Sequence, residues 1–284
     1  MCRLFGLTAG RTRVRATFWL LDAPDSLSLQ SHANPDGTGL GTFDEHDRGA
    51  VEKQALAAYD DLDFATEAKL RTSATFVAHV RHSSGSPRTV ENTHPFELDG
   101  RLFAHNGVVE GMPELERHLG EDLRRVRGGT DSERVFALIT REIEAAGGDV
   151  GAGIGTALGW VAESLPVYAV NLVLTTPHDL WALRYPDTHA LWVLDRRRPG
   201  DDLDHRSGAG TRVTSEQLSA APSVVVASER LDADQWRMLD PGVLLHVGPD
   251  LTLDEQRIVE GTPRHLLALE DLGAAAASQQ PTGR

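Results

Sequence analysis

Thr130-Asp131-Ser132-Glu133-Arg134-Val135-Phe136-Ala137-Leu138-Ile139 is the stretch that decides the architecture. It opens as a capping box, with Thr130 at the N-cap and Glu133 placed to reach back to the free N–H groups of the first turn. Val135, Leu138, Ile139 and Ile143 then recur at helical spacing. Gly147-Gly148 ends that helix, and a second is predicted over 150–163, stopping before Pro166. Strands flank this helix pair on both sides. Before it, residues 3–7, 40–43, 75–80 and 101–105 are short, apolar and rich in β-branched or aromatic side chains. After it, 167–174, 180–184, 190–194, 223–227 and 243–247 read the same way. Residues 17–21 read as a strand or a packed turn and 24–30 as a short helix. Asn34-Pro35-Asp36-Gly37-Thr38-Gly39 is a dense turn signal. Strands, a helix pair, then more strands predict an α+β layered domain in which helices cover two stacked, mainly antiparallel sheets. The regular β-α-β-α alternation of a doubly wound parallel sheet is absent. We expect one domain over 2–265, a flexible loop over 195–215 and a disordered tail over 273–284, where the sequence is low in complexity.

Composition narrows the class. The 28 basic and 42 acidic residues leave a formal net charge of −14, which argues against a nucleic-acid partner. Two short basic runs, Arg124-Arg125-Val126-Arg127 and Arg196-Arg197-Arg198, read as solvated loops. No apolar run suggests a membrane span or signal peptide, so a cytoplasmic protein is expected. A single cysteine excludes an internal disulfide and a Cys-rich zinc site. The 12 histidines do not improve the case for a metal: His79 and His82 lie three apart on a strand and so point to opposite faces.

That one cysteine is Cys2. Removal of Met1 would give a single residue both a thiol and a free α-amine. A nucleophile activated by an N-terminal amine is a known catalytic arrangement. The plainer alternative is a small apolar residue at the start of a strand. Three further polar clusters read both ways. Arg81 ends the strand over 75–80 and could clamp a carboxylate or simply face solvent. Asn106-Gly107 could be a tight turn or an oxyanion hole built from a side-chain amide and a backbone N–H. Asp131 could complement the helix dipole or face a cationic amine.

Taken together these residues resemble the class II (N-terminal-nucleophile, Ntn) glutamine amidotransferases. The resemblance runs through Met1-Cys2-Arg3-Leu4-Phe5-Gly6, Asp36-Gly37-Thr38-Gly39, His79-Val80-Arg81, Asn92-Thr93-His94-Pro95-Phe96, His105-Asn106-Gly107 and Gly129-Thr130-Asp131-Ser132-Glu133, in the family's order, over residues 1–260. It is strongest to the short members with no synthase domain attached. The resemblance implies a four-layer αββα sandwich and a γ-glutamyl amide substrate, glutamine included, cleaved through a γ-glutamyl thioester without metal or cofactor. It implies Cys2 as nucleophile with its own α-amine as base, and Asn106 and Gly107 as the oxyanion hole. Arg81 would take the substrate carboxylate and Asp131 its ammonium. Ser84 stands near a family Thr that positions substrate, and His94 would shape the site. Two departures stand out: Thr38 replaces a Trp common among stand-alone relatives, and His82-Ser83-Ser84 replaces an aromatic-Ala-Thr. Two enzymatic roles remain open. One is an ammonia source for a separate synthetase. The other is removal of glutamate from a γ-glutamyl metabolite, as a relative in ergothioneine biosynthesis does. A non-catalytic protein that binds γ-glutamyl ligands on the same fold is the alternative.

Overall fold

The computed structural model describes residues 2–83, 85–197, 204–206, 212–214, 221–273 and 277. Ser84, most of the expected 195–215 loop and nearly all of the expected 273–284 tail lie outside the described residues. The chain begins with β1 (Arg3–Thr8), a helical turn (Phe18–Asp22), α1 (Leu27–Gln30), β2 (Gly37–Phe43), β3 (Gly49–Gln54), α2 (Leu62–Leu70) and β4 (Thr75–Arg81). Next come β5 (Phe96–Leu98), β6 (Arg101–Val109), α3 (Met112–Leu119), α4 (Asp131–Ala145) and α5 (Val150–Ser164). Then follow β7 (Pro166–Thr175), β8 (Leu180–Leu183), β9 (Trp192–Arg196), β10 (Asp204–Arg206) and β11 (Arg212–Thr214). The described strands end with β12 (Ser223–Ala227), β13 (Arg237–Met238), β14 (Val243–Val247), β15 (Leu253–Arg257) and β16 (His265–Leu266).

Two sheets form. The first has the order β13-β9-β12-β1-β4-β2-β3, and the second β15-β14-β8-β7-β6-β5 with β16 beside β7. Among the described residues, every strand pairing within them is antiparallel except β16 with β7. Side-chain alternation separates three cores. On β1, Leu4 joins the core between the sheets, with Val77, Ala104, Val173 and Val226. Its neighbours Phe5 and Leu7 face outward, to Leu27 of α1 and Phe64 of α2. Beyond the second sheet, Phe103, Leu172 and Leu183 pack against Phe136, Ile139 and Leu158 of α4 and α5. This is the expected four-layer αββα order.

The outer core supplies a stability test. Phe103 and Phe136 stack with ring centroids 4.7 Å apart, and both are fully buried. Phe136→Ala is expected to cost about 3–5 kcal/mol, read as a lower urea midpoint at an unchanged slope.

Several boundaries differ from the sequence-based expectation, each for a visible reason. Of the two readings of residues 17–21, the packed turn holds and the strand does not: Phe18, Trp19 and Leu20 are buried in succession, as a helical turn allows and an alternating strand does not. The helix expected over 24–30 starts only at Leu27, where Ser26 Oγ accepts the Leu29 N–H. The strand expected to end at His105 continues through Asn106-Gly107 to Val109, because the ten-residue β7 pairs with it throughout. The elements the sequence does not announce include α2, α3, β3 and β15. On α2, Leu62 and Leu70 are exposed while Phe64 and Ala68 are buried, so no single apolar stripe marks it. On α3 the start signal is Pro113 followed by Glu114 in the first turn. β3 and β15 are edge strands with charged side chains, which protects an edge but hides the strand pattern.

Candidate functional site

The site grows from the start of β1, a central strand of the first sheet. Arg3 pairs with Val80 of β4, and Gly37 of β2 pairs with Arg81. This register brings Cys2 beside the end of β4. The Cys2 thiol donates to His82 O at 3.3 Å and its sulfur accepts the His82 N–H at 3.2 Å. Burial pushes the thiol pKa up; the His82 backbone bond and the positive charges of Arg81 and Arg3 act against it. The Cys2 carbonyl accepts a hydrogen bond from Asn106 Nδ2 at 3.0 Å. Asn106 lies on β6, so this bond joins the second sheet to the first at the cysteine. The amide carries a second N–H, which remains available.

Gly107, next on β6, is sterically required. A Cβ there would lie 1.9 Å from the Ala169 carbonyl oxygen and 2.7 Å from His105 Nε2. The same logic governs β2, where a Cβ on Gly39 would lie 2.1 Å from the His94 carbonyl oxygen. Gly37, Gly39 and Gly41 thus let the segment 92–96 lie directly on the first sheet. Thr38 alternates to the other face, fully buried, and its hydroxyl donates to Leu56 O at 2.8 Å. The departure at Thr38 therefore falls on the face of β2 away from Arg81.

Arg81 is almost completely buried at the end of β4. Nη1 donates to Pro87 O at 3.1 Å, and Nη2 contacts Ser86 Oγ at 2.6 Å and Ser83 Oγ at 3.3 Å. A guanidinium has five N–H groups, so Nε and part of Nη1 remain uncommitted among the described residues. Asp36 supports this loop: it accepts the Ser83 N–H at 2.8 Å and pairs with Arg88 at 2.9 Å.

Asp131 opens α4 and is half-buried. Oδ2 accepts the Val109 N–H at 2.9 Å, while Oδ1 accepts from Ser132 N at 2.8 Å and Ser132 Oγ at 3.3 Å. A carboxylate has about four lone-pair directions, so one stays open for a cation. The cap of α4 is built differently from the expected box. Thr130 Oγ does accept the Glu133 N–H, at 3.2 Å. The Glu133 carboxylate instead reaches farther back, to Arg127 N at 2.9 Å and Gly128 N at 2.6 Å.

His94 is buried among rings, 4.3 Å from His79 and 4.6 Å from Phe96 by centroid. His105 Nδ1 lies 2.9 Å from Ser132 Oγ, which links it to Asp131. Burial pushes His79 down to about 3, assisted by the charges of Arg81 and His105. Burial also holds His94 well below the ordinary imidazole value. In the unfolded chain both titrate near 6.5. The folded protein therefore binds fewer protons between about pH 6.5 and 3, and stability falls as pH drops through that window. For His79 alone the loss reaches roughly 3 kcal/mol by pH ~4.5. A melting temperature unchanged between about pH 7 and 4.5 would contradict this.

Asn92, part of the motif that carries the resemblance, has a role the sequence does not reveal. Its Oδ1 accepts the Gly129 N–H at 2.7 Å and its Nδ2 donates to Pro87 O at 3.0 Å. It thereby ties the loop that holds Arg81 to the loop that leads into Asp131. The basic runs also find local partners: Arg125 pairs with Asp99, Asp122 and Glu144, and Arg197 with Asp195. Among the described residues no group of three or more His, Cys, Asp and Glu side chains is placed to hold a metal, and no helix is long and apolar enough to cross a membrane. The structure thus joins Asn106 to Cys2 by a hydrogen bond and sets Arg81 near enough for its charge to act on the thiol, and Asp131 joins them through β6. His94 belongs to the buried layer beneath, and Ser84 lies outside the described residues.

The fold and this set of residues define a class, and comparison with known proteins agrees. The family model for class-II glutamine amidotransferases matches residues 1–259, and the chain belongs to that family. A probable glutamine amidotransferase of Saccharomyces cerevisiae is 28% identical over 170 residues, covering 52% of this chain and 47% of that one. A gamma-glutamyl-hercynylcysteine sulfoxide hydrolase of Mycobacterium tuberculosis is 34% identical over 123 residues, covering 39% of this chain and 50% of that one. The chain spans about half the length of these curated relatives. Among solved structures, a glutamine aminotransferase class-II domain protein from Silicibacter pomeroyi superposes with a TM-score of 0.61 at 20% identity, covering 90% of this chain and 99% of that one. The Bacillus subtilis glutamine PRPP amidotransferase gives 0.65 at 19% identity, covering 95% of this chain and 52% of that one. These likenesses establish the shared fold.

Proposed function

We propose that this protein hydrolyses a γ-glutamyl amide, glutamine or a γ-glutamyl amine, with Cys2 as nucleophile. The observation that carries the reading is the meeting of Cys2, Asn106 and Arg81 at one end of the two sheets. The substrate's three recognisable features each find a counterpart. Arg81 takes the α-carboxylate with its free N–H groups, and Asp131 takes the α-ammonium with its open lone pair. The scissile amide then lies at Cys2. The buried thiol resists ionisation, so it needs a nearby base. After removal of Met1, the α-amine of Cys2, with an ordinary pKa of roughly 7.7–8.0, accepts the thiol proton directly or through a water. The sulfur attacks the γ-carbonyl, and the developing oxyanion is met by the second N–H of Asn106 and the backbone N–H of Gly107. Collapse breaks the C–N bond, and the ammonium proton passes to the departing ammonia or amine. A γ-glutamyl thioester remains, which water cleaves to glutamate and the free thiol.

The hydrolase named among the relatives acts, by its name, on a γ-glutamyl compound, which supports a γ-glutamyl metabolite as substrate. One observation favours the other role, ammonia supply to a separate synthetase. Leu29, Leu56, Tyr59 and Leu62 are exposed, with Tyr59 stacked on His32, and exposed apolar side chains of this kind could dock a partner. The deciding experiment is a turnover screen of glutamine against a panel of γ-glutamyl amines with the processed protein, with mass spectrometry for a γ-glutamyl adduct on Cys2. An adduct with rapid release of one amine supports hydrolysis of that metabolite. Binding without any adduct or turnover would instead indicate a non-catalytic γ-glutamyl-binding protein.

A further inference from the structure

His105 is a buried titratable side chain for which the proposed reaction has no use. It precedes Asn106 on β6, and strand alternation turns the two to opposite faces. Asn106 reaches Cys2, while His105 reaches α4, where its Nδ1 lies 2.9 Å from Ser132 Oγ. Ser132 Oγ in turn donates to Asp131 Oδ1 at 3.3 Å. His105 and Ser132 are both buried, so bulk water does not compete for these bonds. A hydroxyl has one proton to give. The anionic carboxylate is a stronger acceptor than a neutral ring nitrogen, so Ser132 gives its proton to Asp131 and accepts the Nδ1–H of His105. Burial lowers the His105 pKa, against the pull of the Asp131 charge, so the ring is neutral near pH 7 and that proton is its only one. The chain of bonds therefore runs one way, from ring to hydroxyl to carboxylate. It leaves the two oxygens of Asp131 unequal. Oδ1 accepts both the Ser132 N–H, at 2.8 Å, and the Ser132 hydroxyl. Oδ2 accepts the Val109 N–H, at 2.9 Å, where the β6–β7 register slips and Val109 faces Val167 rather than Tyr168. With Oδ1 filled, the open lone pair lies on Oδ2.

We propose that His105, acting through Ser132, is a positioning residue for Asp131, fixing its carboxylate so that the enzyme selects γ-glutamyl amides with a free α-ammonium over those in which the amine is absent or acylated; this rests on the assignment of Asp131 as the ammonium clamp. A carboxylate on a freely turning side chain offers its charge in many directions. Held at Oδ1 by Ser132 and at Oδ2 by Val109, it offers one. A bond that merely pinned β6 to α4 would act differently. Its loss would disturb Asn106 and Gly107 and slow every substrate alike.

The test compares kcat/KM for glutamine and for glutaramate, the same chain without the α-amine, in the processed whole protein. The parent should prefer glutamine by at least about thirtyfold, the worth of a charge-assisted bond. Ser132→Ala should cut that preference by about fivefold to tenfold, through a higher KM for glutamine rather than a lower kcat. His105→Leu should do the same. His105→Asn, whose amide nitrogen stands close to the place of Nδ1, should restore most of the preference. Where His105→Leu fails to fold, Ser132→Ala carries the test, since it removes a single oxygen atom. An unchanged preference in Ser132→Ala, or equal losses on both substrates, would overturn the proposal and leave the pair as a structural pin. Asp131→Asn tells the two assignments apart. If it abolishes the preference while Ser132→Ala does not, only the role of His105 and Ser132 fails. If the preference survives Asp131→Asn, the ammonium clamp itself is wrong and the positioning role falls with it.

Discussion

Cys2→Ala is expected to lower turnover of glutamine and γ-glutamyl amides by about 10⁴-fold or more, with the fold intact. Without sulfur no thioester forms, and the oxyanion donors and substrate clamps are left to orient an amide with nothing to attack it. The structural cost is small. The sulfur's contacts are two hydrogen bonds to the His82 backbone, and β1 stays paired on both sides. Circular dichroism and thermal melting should match the parent, and binding of glutamine should survive. Unchanged turnover would remove Cys2 from the mechanism. A companion measurement separates thiol from amine. A protein that retains Met1, or carries an N-terminal extension, keeps the thiol and loses the base. It should be inactive, and full activity in that form would assign the base to another group.

Asn106→Ala is expected to lower kcat by about 10²–10³-fold with little change in KM. The amide acts on charge that exists only in the transition state, so substrate binding does not report it. Asn106 also donates to the Cys2 carbonyl, so its loss loosens the nucleophile's own backbone. Asn106→Asp distinguishes the two effects. The isosteric carboxylate fills the same volume but offers no N–H and places negative charge beside the oxyanion. It should be at least as slow as Asn106→Ala. Steady-state rates and the burst of released amine give the comparison. A kcat within about threefold of the parent in both variants would dissociate Asn106 from oxyanion stabilisation.

How much of this was legible beforehand differs from residue to residue. The helix pair over 130–163 was readable because its apolar residues repeat at helical spacing on a long segment. The Asn-Gly dipeptide was ambiguous. Locally it is a turn signal, yet β6 runs straight through it because ten residues of β7 are available to pair. Asp131 showed the opposite balance. Its position in a helix's first turn was visible, but its bond to Val109 N joins segments far apart in sequence and could not be inferred. Glu133 followed its motif in part, reaching back as expected but to Arg127 and Gly128, since the preceding chain folds under the helix start. Thr38 stands in the sequence only as a departure from the Trp of stand-alone relatives. Strand alternation puts it on the reverse face.

The sequence alone determined the layered class, the helix pair, most strands and the identity of the polar residues at issue. Those properties depend on short-range periodicity and on residue chemistry, which the order of amino acids carries directly. Only the tertiary structure decided that Asn106 of the second sheet bonds Cys2 of the first, and that Asn92 ties the Arg81 loop to the Asp131 loop. Only it revealed that His105 reaches Asp131 through Ser132. The Asn106–Cys2 and Asn92–Gly129 bonds span 104 and 37 residues of chain, and such contacts are set by sheet register and by how closely glycine faces let two layers approach.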